Sequence, residues 1–66
     1  MPNITVDGPP GPDLAKRREF VRELTDAAVA YYGRFKPEDI VVLIREHPAE
    51  CVAVGGQLVC DRRPKE

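Results

Sequence analysis

The chain has 66 residues, of which 32% are charged and 42% are hydrophobic, and its formal net charge at pH 7 is −1. This length allows one domain, residues 1–66, and the balanced charge gives no electrostatic footprint for nucleic acid. The sequence has neither an apolar run of the ~18 residues that a membrane helix needs nor a charged start leading into an apolar signal stretch. We therefore expect a small cytoplasmic protein with no nucleic-acid or membrane partner.

Residues 2–7 predict a first strand. Ile4 and Val6 alternate with polar residues, which is the period of two that a half-buried strand shows. Pro2 is acceptable as the leading residue because the first position of a strand needs no donor. The glycines and prolines of residues 8–13 then predict a rigid turn, and their spacing fits no phosphate-binding motif.

A helix is predicted from Leu14 to Tyr32. Asp13 suits the N-cap position and Gly33 suits the C-terminal cap. Apolar residues at helical spacing form one stripe along this segment. The stripe consists of Val21, Leu24, Ala28 and Tyr31, widened by Phe20 and Ala27. The charged residues between them indicate a solvated face rather than a binding patch.

The next apolar run, residues 40–44, is rich in β-branched side chains and predicts a strand that is covered on both faces. Residues 34–39 before it predict a loop, in which Pro37 opens a single helical turn. Arg45 and Glu46 end the strand. A strand, a helix and a second strand of this kind form a β-α-β unit, with parallel strands and a right-handed crossover.

Two further β-prone runs, residues 51–54 and 57–60, flank a Gly-Gly pair and predict a two-residue hairpin. Its register places Val54 opposite Gln57. The remaining segment, residues 61–66, is polar and is expected to fray. The predicted fold class is therefore α/β (α+β), a β-α-β unit with a short C-terminal β-hairpin.

The same register places Cys51 opposite Cys60 as a non-hydrogen-bonded pair, the closer of the two kinds. A cross-strand disulfide is geometrically conceivable there. Two free thiols are the expectation for a cytoplasmic protein. These cysteines and His47, the single histidine, do not match a zinc-ligand spacing.

The predicted protomer is incomplete by itself. One helix covers one face of a two-stranded sheet, and the run of residues 40–44 needs cover on both. Two-stranded sheets are not stable alone, and their bare edges invite pairing. We therefore expect a closed homo-oligomer, in which any site near Pro2 lies at or near a subunit interface.

An initiator Met before a small residue such as Pro2 is normally removed. Removal of Met1 would leave Pro2 with a free secondary amine. An α-amino group has an unperturbed pKa of roughly 7.7–8.0, so a modest shift gives a base suited to neutral pH. The alternative is an ordinary start followed by a strand-leading proline.

Taken in order, these features resemble the 4-oxalocrotonate tautomerase family across nearly the whole chain. The resemblance is carried by Met1-Pro2, residues 4–6, the helix sequence of residues 16–27, Pro37, residues 40–46, and residues 52–58. It implies the β-α-β tautomerase (MIF-like) fold, assembled as a hexamer that is a trimer of dimers. It also implies keto–enol tautomerisation of 2-hydroxy-dienoate or enol-pyruvate-like acids without cofactor or metal. Pro2 would take a proton from the enol hydroxyl and deliver one to carbon.

The chain departs from the well-studied members where their substrate-binding residues lie. Those members carry an arginine in the loop after the first strand, where residues 8–13 of this chain contain no cation. They carry another arginine near the start of the second strand, where this chain has Ile40 and Val41. They place an aromatic residue shortly before Gly-Gly, where Val52 is the match. An anionic substrate needs a donor, ideally arginine. Arg45, on the strand face of Val41, and Arg17, in line with the helix stripe, are candidates, and the alternative for each is a solvent-facing charge.

Other residues are weaker candidates. Arg62 and Arg63 follow the hairpin, and His47 lies in a turn before a proline, where we expect exposure and suggest a substitution test. Two other functions stay open. One is a hydratase or dehalogenase activity that depends on Pro2, and the other is an oligomeric interaction module without catalysis.

Overall fold

The computed structural model describes residues 1–62. Its strands and helix are β1 (Asn3–Gly8), α1 (Leu14–Tyr32), β2 (Val41–Glu46), β3 (Ala53–Val54) and β4 (Gln57–Leu58). Short 3-10 turns lie at Pro37–Asp39, Ala49–Cys51 and Val59–Asp61. The predicted β-α-β unit and hairpin are confirmed. The sequence also predicts that the C-terminal segment frays, and residues 63–66 of that segment lie outside the described residues.

β1 and β2 form a parallel two-stranded sheet in which Asn3 faces Val41 and Asp7 faces Arg45. β2 ends at Glu46 as predicted, and its polar end, Arg45 and Glu46, still pairs with β1. Its start is one residue later than predicted, since the Ile40 N–H donates to the carbonyl of Pro37 at 3.1 Å and ends the 3-10 turn there.

The two faces of this sheet differ. The face toward α1 carries the half-buried residues Ile4, Val6, Val42 and Ile44. The opposite face is open, and Leu43 on it is 55% exposed. The strand alternation predicted for β1 is confirmed, while the cover expected on both faces of β2 is present on one face of the protomer only.

Local capping fixes the ends of α1 where the sequence predicts them. The Asp13 side chain accepts a hydrogen bond from the Lys16 N–H at 2.7 Å. Gly33 adopts φ 73°, a left-handed conformation that glycine reaches without strain, and its N–H donates to the Val29 carbonyl. Asp13 and Gly33 thus act as the predicted caps.

The apolar stripe of α1 ends earlier than predicted. Ala28 is buried, but Tyr31 is 82% exposed. A helix of 19 residues is about 28 Å long. A six-residue strand spans only about 20 Å. The last turn of the helix therefore extends past the sheet, and placing Tyr31 in the packed stripe was wrong.

The hairpin has the predicted register, with Val54 opposite Gln57. Gly55 and Gly56 both have positive φ, 61° and 83°, as a type I′ turn requires. The predicted strand lengths were wrong, because β3 and β4 have only two residues each. A 3-10 turn precedes β3 and another follows β4.

The cysteines lie in those two turns. Cys51 ends the turn before β3, and Cys60 lies in the turn after β4. Both are free and exposed in the structure. The two-thiol alternative therefore describes the structure, and the conceivable disulfide is not formed.

The protomer has almost no interior. Ala28 is the single buried hydrophobic residue among those described. The accessible surface is 5600 Å², whereas a compact monomer of 7.4 kDa is expected to expose about 4200 Å². Within residues 1–62, no helix combines the length and the apolar character needed to cross a bilayer.

Candidate active site

Pro2 lies at the N-terminal end of the parallel sheet. It is half-buried, and its carbonyl accepts a hydrogen bond from the Val41 N–H at 3.0 Å. This bond holds the start of the chain against the start of β2. Met1, which precedes it, is 78% exposed. The Pro2 nitrogen becomes a basic amine only once Met1 has been removed.

A charged cluster lies at the opposite end of the same sheet. Asp7 Oδ1 is 2.9 Å from Arg45 Nε and 2.9 Å from His47 Nε2. Arg45 Nη2 also donates to Asp7 Oδ2 at 3.2 Å, so this pair is bidentate. We refer to these three residues as the Asp7 cluster. Asp7 and Arg45 lie opposite each other in the parallel register, which brings their side chains together.

Pro2 and the Asp7 cluster are far apart within one protomer. Pro2 and Asp7 are five positions apart along an extended segment, which corresponds to about 16 Å. Arg45, a predicted substrate-binding residue, therefore does not lie beside Pro2 of its own protomer. A site that uses both must draw on two protomers.

The Asp7 carboxylate holds the His47 ring in one orientation. The pKa of Asp7 lies below its ordinary value of 3.8, chiefly because His47 donates a hydrogen bond to it and further because of the Arg45 charge. An ionised carboxylate only accepts hydrogen bonds, so the proton must be on His47 Nε2. In the neutral ring, Nδ1 then carries the free lone pair.

Arg17, the other predicted substrate-binding residue, pairs with a carboxylate on the face toward α1. Its Nη2 lies 2.7 Å from Glu46 Oε2, which also accepts the Gly11 N–H at 2.9 Å. The pKa of Glu46 is lowered by the Gly11 N–H first and by Arg17 second. Glu46 thus ties the proline-rich turn and the first turn of α1 to the end of β2.

An open groove of about 490 Å³ begins beside the Asp7 cluster. It is lined by Asp7, Gly8, Pro9, Pro10, His47, Ala49, Val52 and Val59. Asp7 and His47 are its ionisable residues, and the remaining lining consists of glycine, proline and small aliphatic side chains. This arrangement suits a small molecule that has an apolar carbon chain and carries its polar groups at one end.

Sequence reasoning missed Asp7 altogether and treated His47 as an exposed turn residue. The signal for the pair is the strand register, which places the ends of β1 and β2 side by side. That register was not fixed by the alternation pattern, because each strand alone fits several offsets. Among residues 1–62, no group of three or more His, Cys, Asp or Glu side chains is arranged to hold a metal ion.

A family model described as tautomerase enzyme matches residues 2–62. A search of curated proteins found no match.

Several solved structures are similar. DmpI from Archaeoglobus fulgidus is 47% identical, with a TM-score of 0.77 over 91% of this chain and 100% of that one. YwhB, a homologue of 4-oxalocrotonate tautomerase, is 31% identical, with a TM-score of 0.83 over 94% of this chain and 100% of that one. TomN, a further homologue from the tomaymycin biosynthetic pathway, is 31% identical with a TM-score of 0.81, covering 92% of each chain.

Proposed function

Since the chain belongs to the tautomerase enzyme family and is an isomerase similar to 4-oxalocrotonate tautomerase, we propose that it interconverts keto and enol acids with Pro2 as the general base. The substrates are 2-hydroxy-dienoate or enol-pyruvate-like acids, and neither cofactor nor metal takes part. The observation that carries this proposal is the position of Pro2. It immediately precedes β1, in a family of isomerases whose reaction is proton transfer.

The proton-transfer chemistry follows from the amine that removal of Met1 creates. A secondary amine on a rigid ring has one lone pair in a defined direction, and the Val41 N–H holds the adjacent carbonyl at 3.0 Å. The amine takes a proton from the substrate hydroxyl, and its ammonium form delivers a proton to carbon. A base with a pKa near the working pH serves both steps.

The site is completed by a second copy of the chain. Among residues 1–62, no strand lies beside the outer edge of β1, so two copies pair antiparallel along this edge around a two-fold axis. A two-fold axis perpendicular to the sheet leaves each side chain on the same face of the combined sheet. Because side chains alternate between the faces along a strand, two residues that lie opposite each other are both even-numbered or both odd-numbered. We place Thr5 on the axis because it is the midpoint of residues 2–8, so that the whole segment is paired. Pro2 then faces Gly8 of the second copy, and Asn3 faces Asp7 of the second copy.

This pairing brings Pro2 of one subunit to the groove and the Asp7 cluster of the other. Arg45 holds the substrate carboxylate from there. Asp7 occupies Arg45 Nε and Nη2, while Nη1 is left to donate, and the Arg45 side chain is 63% exposed. Arg17 is the weaker candidate for this role, since Glu46 engages its guanidinium on the face toward α1.

Further association of such dimers gives a homohexamer, a trimer of dimers. Support comes from the surface that one protomer leaves uncovered. Leu43 on the open sheet face is 55% exposed, and Val54 and Leu58 of the hairpin are 58% and 38% exposed. Packing of these faces into neighbours removes that apolar area from water.

The proposal is tested by following the N-terminus and the activity together. Intact mass spectrometry reports the fraction of chains that have lost Met1, and ultraviolet absorbance follows ketonisation of a panel of 2-hydroxy-dienoates and enol acids. Activity should rise in proportion to the processed fraction. Equal activity from a preparation that fully retains Met1 would contradict the role of the Pro2 amine.

A further inference from the structure

We propose that Glu46 is a positioning residue, which holds the proline-rich turn after β1 as one wall of the groove and thereby sets how tightly the groove binds the carbon chain of the substrate. This inference rests on the proposed function, because it takes the groove as the place where the substrate lies. Glu46 lies outside the lining of the groove. Its effect is therefore exerted through residues 8–13, the turn that it contacts.

The first argument is the set of contacts that Glu46 makes. It lies opposite Gly8 in the parallel register, at the end of β2. Its Oε2 accepts the Gly11 N–H at 2.9 Å and lies 2.7 Å from Arg17 Nη2. Hydrogen bonds to an ionised carboxylate are stronger than those between neutral groups. One oxygen atom thus joins the turn and the first turn of α1 to the sheet.

The second argument is that the part of the turn lining the groove is held at both ends. At one end, the His47 N–H donates to the Gly8 carbonyl at 2.8 Å. At the other end, Glu46 accepts from the Gly11 N–H. The two prolines between these glycines line the groove. Because proline has a fixed φ, little freedom remains to this segment once both of its ends are held.

The third argument is the open space behind the turn. A cavity of about 230 Å³ lies between the turn, α1 and the sheet, and Pro9, Pro12, Phe20 and Glu46 are part of its lining. Pro9 lines the groove as well, so the turn is a thin wall with space on each side. Dispersion attraction needs partner atoms in contact, and here they are missing on both sides. Hydrogen bonding by Glu46, rather than packing, therefore keeps the wall in place.

The turn is the main partner of the Glu46 carboxylate. The pKa of Glu46 lies below its ordinary value of 4.5, with the Gly11 N–H as the larger cause and Arg17 as the second. The Glu46 side chain is 29% exposed, so most of it is withdrawn from the water that competes for these hydrogen bonds. We therefore expect the loss of the contact with Gly11 to matter more than the loss of the contact with Arg17.

The kinetic consequence follows from the geometry. Without the Glu46 carboxylate, the turn shifts toward the cavity behind it and the groove widens. A wider groove loses contact with the carbon chain in the ground state and in the transition state alike, which raises KM and leaves kcat little changed. The rise in KM increases with chain length, because each methylene that leaves the wall returns apolar surface to water.

Kinetics with substrates of different length test this role. The assay uses 2-hydroxy-dienoates whose distal carbon carries hydrogen, methyl or propyl. In Glu46→Leu we expect KM to rise about tenfold for the propyl compound and less for the shortest, with kcat within about twofold of the wild type. Glu46→Gln keeps an oxygen that accepts from Gly11, so its KM should be intermediate. Glu38→Leu, at an exposed position, is the control and should keep the wild-type KM.

Amide hydrogen exchange tests the contact itself without an activity assay. Nuclear magnetic resonance should show the Gly11 amide exchanging about tenfold faster in Glu46→Leu than in the wild type, and at an intermediate rate in Glu46→Gln. The Val41 amide, which donates to Pro2 at the far end of the sheet, is the internal control. Its exchange should not change, whereas a general loss of stability would accelerate both amides.

The outcomes separate this inference from the proposed function. A wild-type KM for all three acids in Glu46→Leu, or a fall in kcat with KM unchanged, would overturn the inference and leave the proposed function intact. Unchanged exchange of the Gly11 amide would overturn it as well. If Glu46→Leu does not assemble, Glu46→Gln decides by the same two measurements. Full activity in Pro2→Ala would refute the proposed function, while KM would still report on the wall of the groove.

Discussion

His47 Nε2 lies 2.9 Å from Asp7 Oδ1, a contact between residues that are 40 positions apart in the sequence. Parallel pairing of β1 and β2 creates it, because both residues end up at the C-terminal edge of the sheet. Asp7 also binds Arg45 at this edge. One carboxylate thus orients an imidazole and a guanidinium beside an apolar groove, while the N-terminal proline lies at the other edge.

Arg45 is predicted to hold the substrate carboxylate. Arg45→Gln keeps the length of the side chain and removes the charge, so we expect KM for an anionic acid to rise about tenfold or more, with a smaller change in kcat. Steady-state kinetics measure both constants. Arg22→Gln on the exposed side of α1 is the matched control. An unchanged KM in Arg45→Gln would rule out that Arg45 binds the substrate carboxylate.

The open sheet face is predicted to be an interface between subunits. Leu43→Glu places a charge in the middle of this face, so the oligomer should dissociate into smaller species at micromolar concentration. Light scattering gives the mass. Leu14→Glu is the control, since Leu14 is similarly exposed, 54% against 55%, but lies at the start of α1 away from that face. A full-sized Leu43→Glu oligomer would contradict the assignment.

Stability is predicted to decline in acid. The pKa values of Asp7 and Glu46 lie below their ordinary values of 3.8 and 4.5. Their contribution is therefore fully present above about pH 4.5 and is lost as the pH falls through their lowered folded-state pKa values. The urea midpoint of unfolding should stay level from pH 7 to pH 5 and fall below that range.

Glu46→Gln removes one part of that acid sensitivity. Its urea midpoint should be lower than that of the wild type at pH 7, and its decline toward pH 3 should be shallower. Glu38→Gln, which changes an exposed carboxylate in the turn Pro37–Asp39, serves as the control. A Glu46→Gln profile parallel to the wild-type profile would show that the contacts of Glu46 do not carry the effect.

Much of the fold could be predicted from local sequence signals. The bounds of α1 follow from Asp13 and Gly33, and the hairpin register follows from two adjacent glycines. These signals act over a few residues, so neighbouring sequence is sufficient to recognise them. Tyr31 was misplaced because helical spacing does not report where the supporting sheet ends.

The site was less accessible to sequence reasoning. Pro2 and Arg45 were both named, but the distance between them follows from strand direction and register rather than from residue type. Asp7 was overlooked because a polar residue on an open strand face has the appearance of a solvated one. The groove depends on how the turn after β1 and the segment before β3 approach each other, which no short motif encodes.

The central claim is that the Pro2 amine is the base, and the most direct test is the kcat/KM of Pro2→Ala compared with the wild type. The assay uses a 2-hydroxy-dienoate, protein whose N-terminal processing has been verified by mass, and oligomers of equal size. The account predicts a loss of at least about a hundredfold. A Pro2→Ala protein with the wild-type kcat/KM would contradict it.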